Sequence, residues 1–186
     1  MIKFESYDNW MNEGIKHLSG RTEEELLPWY NDLTPWEKAN EGIRKNIFIL
    51  FMKGLEEGAD IEHDRYSLLR LASIRGNLKI TKILIERGSD VNANDGHPLQ
   101  LASSRGHNDV VKFLLKKGAD VNLAPATYYG KSDRALALRR AAEEGHAETV
   151  KILLNAGSKL DDDILYRYRT DQFNSEIEQL LRPYIK

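Results

Sequence analysis

Apolar and polar positions along the middle of the chain follow a helical spacing that restarts at regular intervals. In one copy Leu99 and Ala102 lie three residues apart, as on one face of a short helix, and a second apolar face runs over residues 110–115. Gly106 separates the two segments and Gly118 follows the second, where a residue that tolerates a positive φ ends a helix at low cost. The pattern therefore predicts two helices joined by a short turn.

The same pattern occurs three times, with one change of spacing. Between the first and second copies, three pairs of positions are 30 residues apart, namely Ala72 and Ala102, Gly76 and Gly106, and Gly88 and Gly118. Between the second and third copies the spacing is 39 residues, at Ala102 and Ala141, Gly106 and Gly145, and Gly118 and Gly157. A fixed unit plus a nine-residue insertion explains both spacings, and the insertion falls within residues 123–134. A degenerate earlier copy of the turn occupies residues 58–62.

One unit of this kind cannot cover its own apolar surface. Acidic residues open its second helix and basic residues close it, as Asp109 and Lys116 illustrate, an order that complements the helix dipole. Leu114 and Leu115 point to different sides of that helix. Because stacked neighbours can bury both sides, the repeat predicts an all-α fold, a solenoid of helix-turn-helix units with an N-terminal helical extension.

The segment 106–122, Gly-His-Asn-Asp-Val-Val-Lys-Phe-Leu-Leu-Lys-Lys-Gly-Ala-Asp-Val-Asn, resembles the outer helix and turn of the ankyrin repeat. The resemblance extends over residues 59–159. The family's usual period is about 33 residues, so the 30-residue spacing here implies shortened turns. The family's Thr-Pro-Leu-His start is reduced to His97-Pro98-Leu99-Gln100 in the second unit. Short-period repeats of this kind are familiar in viral and some bacterial members of the family.

The chain outside the repeats divides into two flanking segments. Residues 1–57 form a predicted helical segment, with helices near 4–18, 22–31 and 35–57, the last broken near Lys45 and Asn46. Residues 58–160 hold the repeats, and residues 161–186 form a degenerate capping pair of helices. Capping boxes start helices at Thr22-Glu23-Glu24-Glu25 and Thr34-Pro35-Trp36-Glu37. The three tryptophans, Trp10, Trp29 and Trp36, all lie in the first segment, where they either pack it on the stack or form a second partner site.

Composition excludes several classes of function. The 186 residues carry a net charge of −2 and no cysteine, which excludes a disulfide framework, thiolate catalysis and cysteine-ligated zinc. The chain shows no signal-peptide pattern, and its longest purely apolar run is 47–52, so we expect a cytoplasmic protein that does not span a membrane. The five histidines follow no metal-ligand spacing, and two of them, His63 and His97, fall in predicted turns. No glycine-rich phosphate loop occurs. We expect no metal, no cofactor and no catalytic residue.

Aligned rows of the first helix of each unit give the candidate partner-binding residues. The rows carry Arg70, Gln100 and Arg139, then Ser73 and Ser103 with Ala142, then Ile74, Ser104 and Glu143, then Arg75 and Arg105 with Glu144. Arg140 adds a further arginine to this face. In ankyrin proteins such rows line a concave groove where partners bind, so the resemblance implies a basic groove here. The arginines either keep this face soluble or bind an acidic protein partner through planar, bidentate pairing with carboxylates.

The insertion is the second candidate surface, because long loops often carry function. Its adjacent Tyr128 and Tyr129 can serve as contact anchors or can fold back on the repeats.

The family resemblance favours a non-catalytic protein-binding module, an adaptor or an inhibitor that masks a partner's surface. A viral, phage or bacterial inhibitor of a defence factor or toxin is one form of this function. Nucleic-acid binding through the basic groove is the alternative of another class, which the net charge and Glu143 disfavour. An enzyme with its site in residues 1–57 would need acid, base or nucleophile motifs that are missing there. The partner's identity and the oligomeric state stay open.

Overall fold

A computed structural model describes residues 22, 25, 27–123 and 136–185. The chain divides into two compact units, Met1–Ala59 and Asp60–Lys186. Within the described residues it forms ten α-helices and two short 3₁₀ helices, and these residues contain no strand. The predicted all-α fold is therefore confirmed. The predicted helix at 4–18 and the side chains of Trp10 and Trp29 lie outside the described residues.

The first unit contains a 3₁₀ helix at Leu27–Tyr30 and two packed helices, α1 (Pro35–Arg44) and α2 (Phe48–Glu56). Thr34 caps α1 in the predicted capping box with Glu37, whose carboxylate accepts a hydrogen bond from the Thr34 backbone N–H at 2.8 Å. The break predicted near Lys45 and Asn46 is confirmed, since Asn46 adopts a left-handed conformation with φ of 57° between the two helices.

The second unit stacks three helix pairs. The first helices of the pairs are α3 (His63–Ile74), α5 (Ala93–Ser104) and α7 (Leu136–Glu143), called the inner helices below. The second helices are α4 (Leu78–Glu86), α6 (Asn108–Lys116) and α8 (Ala147–Asn155), called the outer helices. Inner helices pack on inner helices and outer on outer, and each inner helix packs on the outer helix of its own pair. This is the solenoid that the repeat predicts.

Apolar side chains are buried at equivalent positions in all three helix pairs, and those of the second and third pairs form one core with the C-terminal helices. Leu84, Leu114 and Leu153 occupy the same position in the three outer helices, and all three are fully buried. Ala72, Ala102 and Ala141 are their equally buried counterparts in the inner helices. Because alanine is small, the inner helices can approach one another closely while leucines from the outer helices fill the space beneath them.

Polar bonds link each repeat to the next. The Nε2–H of His107 donates to the carbonyl of Ile74 at 3.0 Å, and that of His146 donates to the carbonyl of Ser104 at 3.2 Å. In the turns, the Asn122 side chain accepts from the Lys159 backbone N–H at 2.9 Å and donates to the Gly157 carbonyl at 3.1 Å. The two histidines are therefore structural, as the family resemblance implies.

Two short helices close the C-terminal end, α9 (Asp162–Arg169) and α10 (Ser175–Leu181), and a 3₁₀ turn follows at Arg182–Tyr184. Asp161 caps α9 and Asn174 caps α10, each through a side-chain oxygen that accepts a backbone N–H at 2.9 Å. Buried side chains from both helices join the core of the stack, namely Ile164, Ile177 and Leu181. Tyr128 and Tyr129 lie outside the described residues.

Candidate functional site

The inner helices leave one face free of both the core and the outer helices. Because the repeat keeps α3, α5 and α7 in register, residues from successive units form continuous rows along this face. We call these residues the inner-helix surface: Arg70, Leu71, Ile74 and Arg75 of α3 or its end, His97, Leu101, Ser104 and Arg105 of α5 or its end, and Arg139, Arg140, Glu143 and Glu144 of α7 or its end. Each of them is half-exposed or exposed.

Three of the predicted partner-binding residues are not on this surface. Ser73 and Ser103 are fully buried, because the row that follows Ala72 and Ala102 faces the neighbouring inner helix. Gln100 is 2% exposed, and its Nε2–H donates to the carbonyl of Asp95 at 2.7 Å. Gln100 thus holds the left-handed turn in the first part of α5, just before His97. These three side chains are therefore left out of the inner-helix surface, although the sequence analysis selected them.

An apolar row takes their place. Leu71 and Leu101 are half-exposed and share one row with the exposed Arg140. Sequence reasoning did not select these leucines, although Leu71 lies four residues before the exposed Arg75, on the same side of a helix. That spacing could have predicted that the two leucines are partly exposed on this surface. The surface therefore joins exposed apolar area to positive charge.

Four arginines of the inner-helix surface carry uncompensated charge. Arg75, Arg105 and Arg140 are exposed and Arg70 is half-buried. Within the part of the chain that the structure describes, no carboxylate lies within ion-pair distance of these four guanidinium groups. These side chains remain available for an acidic partner.

Arg139 and Glu143 differ from them, because the C-terminal helix α9 already engages both. A guanidinium nitrogen of Arg139 lies 3.8 Å from a carboxylate oxygen of Asp163. Arg167 pairs with the same carboxylate at 2.8 Å and with Glu143 at 3.1 Å, and the neighbouring carboxylates raise its pKa. With Leu136 and Arg140 these residues line a shallow pocket of about 340 Å³. A partner would have to compete for Arg139, so the free arginines are the better candidates.

His97 is a site residue that the sequence analysis assigned only to a turn. It follows Asn94, Asp95 and Gly96, which all adopt left-handed conformations with φ between 51° and 78°. Burial lowers the pKa of His97, and the nearby charges of Arg70 and Arg140 lower it further, against smaller opposing effects from Asn94 and Asp95. The imidazole therefore belongs to the basic part of the inner-helix surface.

The described part of the first unit shows an ion-pair cluster of a different kind. Glu41 is fully buried and lies 3.1 Å from a nitrogen of Arg44 and 3.6 Å from Nζ of Lys45. Burial raises the pKa of Tyr30, and the charge of Glu41 raises it further. Across the described residues no group of three or more histidines and carboxylates could hold a metal ion, and no helix is long and apolar enough to cross a bilayer.

Comparison with protein families matches most of the repeats. Residues 39–125 match a family model described as ankyrin repeats in three copies, and residues 99–154 match one described as ankyrin repeats in many copies. Together the two matches cover residues 39–154, which include all three helix pairs. The comparison with curated proteins gave no match.

Proposed function

Because the chain belongs to the ankyrin repeat family, we propose that it binds an acidic protein partner on its inner-helix surface, as an adaptor or as an inhibitor that masks that partner. Ankyrin repeats are a protein-interaction module and typically a non-catalytic scaffold. The observation that carries the finer proposal is the group of four arginines, Arg70, Arg75, Arg105 and Arg140, without a carboxylate partner among the described residues.

Arginine suits this role better than lysine would. Its planar guanidinium pairs with a carboxylate through two parallel hydrogen bonds, and it loses less hydration when an interface forms. Leu71, Ile74 and Leu101 supply apolar area between the arginines, so a partner segment with both acidic and apolar side chains gains from both. The surface lies on packed helices, so little conformational entropy is lost when a partner binds.

A nucleic acid would also seek these arginines, but the same surface ends at Glu143 and Glu144, both exposed. Phosphates that follow the rows would approach these carboxylates, and the whole chain carries a charge of −2. An acidic protein segment can end before them. We therefore favour a protein partner, and the experiment below includes nucleic acid as an alternative outcome.

The test compares two charge-reversed pairs as bait in native lysate, with capture measured by quantitative mass spectrometry. Arg75→Glu with Arg105→Glu reverses the proposed site, and Lys116→Glu with Lys151→Glu reverses two exposed outer-helix residues as the control. A protein held by the wild type and by the control, but at least about tenfold weaker by the first pair, supports the proposal; tenfold corresponds to about 1.4 kcal/mol.

Two results would contradict it. If both charge-reversed pairs capture the partner protein equally well, the partner binds outside the inner-helix surface, on the insertion or on the first unit. Binding of random duplex DNA or RNA that weakens steeply with salt, and that the Arg75 and Arg105 reversals abolish, identifies a nucleic-acid binder instead. Both pairs keep the buried core, so thermal unfolding should change little.

A further inference from the structure

Three consecutive inner helices each bring one basic side chain, Arg70, His97 or Arg140, to neighbouring positions of the inner-helix surface. The 30-residue spacing aligns Arg70 with Gln100, and the 39-residue spacing aligns Arg140 with Leu101. Gln100 and Leu101 lie three and four residues after His97, on the same side of α5. Because helical side chains lean toward the N-terminus of their helix, both long arginines extend back toward the level of the imidazole. The charges of both arginines lower the pKa of His97.

The turn before His97 fixes the position of the imidazole. The backbone N–H of Gly96 donates to the Asn92 carbonyl at 3.1 Å, and Gln100 holds the Asp95 carbonyl from the other side. The side chain of Asn94 contacts Nδ1 of His97 directly. The ring is therefore anchored by its own turn, and His97 as a whole is half-exposed.

We propose that Arg70, His97 and Arg140 form one anion-binding site that takes a carboxylate of the acidic partner and couples its binding to protonation of His97. The inference rests on the proposed function and names the chemistry of one contact within it. It requires one ligand group, a carboxylate side chain, placed between three neighbouring repeats.

Arg70 shows the clearest need for such a group. Its Nε is buried and has no hydrogen-bond partner among the described residues. A buried donor without an acceptor is costly. Because solvent does not reach Nε, a ligand carboxylate would pair with the terminal nitrogens of this half-buried guanidinium, and its negative charge would offset the burial of the group. The exposed guanidinium of Arg140 closes the site from the next repeat. No described carboxylate forms an ion pair with either arginine.

The proton coupling follows from the charges that face His97. Arg70 on α3 and Arg140 on α7 oppose protonation, and Asp95 in the adjoining turn favours it more weakly. A bound carboxylate adds negative charge between the arginines and raises the pKa of His97 above its value in the free protein. The complex then holds more protons than the free protein at any pH between the two pKa values. Affinity therefore increases as pH falls through that range and levels off below the lower pKa.

The test uses the full chain and an acetylated hexaglutamate peptide as the probe. NMR follows the His97 imidazole during pH titrations with and without the peptide, and binding is measured at pH 7.5 and 5.5, where glutamate carboxylates remain largely ionised. We expect the peptide to raise the pKa of His97. Each unit of that shift corresponds to a tenfold gain in affinity across the coupled range.

Three variants make the result specific. His97→Gln keeps a polar side chain without titration and should remove most of the pH dependence. Arg70→Gln with Arg140→Gln should weaken peptide binding and raise the pKa of His97 in the free protein. Arg87→Gln removes a charge from an exposed residue at the end of α4 and should change neither property.

Several outcomes would overturn the site. A His97 pKa that the peptide does not move, an equal pH dependence in His97→Gln, or no perturbation of His97 at millimolar peptide would each do so. These outcomes differ from failure of the proposed function. A partner whose capture depends on Arg75 and Arg105 but not on His97 leaves the inner-helix surface in place and removes only this contact.

Discussion

At the scale of single residues, one glycine combines two requirements. Gly106 has a φ of +67°, which disfavours any residue with a Cβ. A Cβ built there would also lie 2.7 Å from Nδ1 of His146, the ring that donates to the Ser104 carbonyl. The left-handed turn and the close approach of the histidine therefore depend on the same missing side chain.

Gly118 offers a matched comparison, because it has a φ of +92° but a Cβ there would meet no atom within 4 Å. Gly118→Ala should cost only the left-handed backbone, about 1–2 kcal/mol. Gly106→Ala should cost more, by a further ~1–3 kcal/mol, because His146 must shift. Urea unfolding followed by circular dichroism measures both. Equal losses would show that the histidine moves aside freely.

The sequence predicts the turn role of these glycines because they recur at the same position of each repeat. It predicts less well those residues whose neighbours in space belong to other repeats. His97 looked like an isolated turn residue because the arginines beside it belong to other units of the chain. Gln100 looked exposed because it aligns with two arginines, yet it turns back to the Asp95 carbonyl. Only the structure shows that residues of one row differ in role, so that Gln100 stabilises a turn in one repeat while the arginines of the neighbouring repeats lie on the surface.

At the scale of helices, the shared apolar core predicts where truncation is costly. Leu114 of α6 is fully buried between α4 and α8, whereas Leu115 is half-exposed. Leu114→Ala should lower the free energy of unfolding by about 2–5 kcal/mol, since the cavity can collapse only partly. Leu115→Ala is the control and should cost clearly less. Urea unfolding measures both losses. A similar loss at both positions would contradict the assignment of Leu114, and not Leu115, to the buried core.

The order of inner and outer helices could be predicted from the sequence because the same pattern occurs three times. The break near Asn46 was predicted as well. The start of α5 was not. His97 follows three consecutive left-handed residues, Asn94 to Gly96. The spacing of apolar and polar residues does not predict such a turn. The Gln100 side chain donates to the Asp95 carbonyl within this turn, and the other two repeats have arginine at the position of Gln100, so the repeat pattern does not predict it.

At the scale of the whole second unit, the C-terminal cap modifies the charge of the inner-helix surface. Arg167 of α9 pairs with Glu143 of α7 at 3.1 Å and with Asp163 at 2.8 Å. It thereby offsets one of the two carboxylates at the end of that surface. The sequence predicts Glu143 on this surface, but only the fold shows that Arg167 of the cap pairs with it.

This arrangement makes Arg167 a remote contributor to binding. Arg167→Ala exposes the charge of Glu143 near Arg140, so hexaglutamate affinity should fall by up to about fivefold at low salt, the size expected for a partly exposed ion pair. Arg169→Ala removes an equal charge from an exposed position of the same helix and serves as the control. Calorimetric titration measures the affinities, and thermal unfolding should shift only slightly in both. Indistinguishable affinities would mean that net charge, and not the pairing of Glu143, governs how the surface attracts an acidic partner.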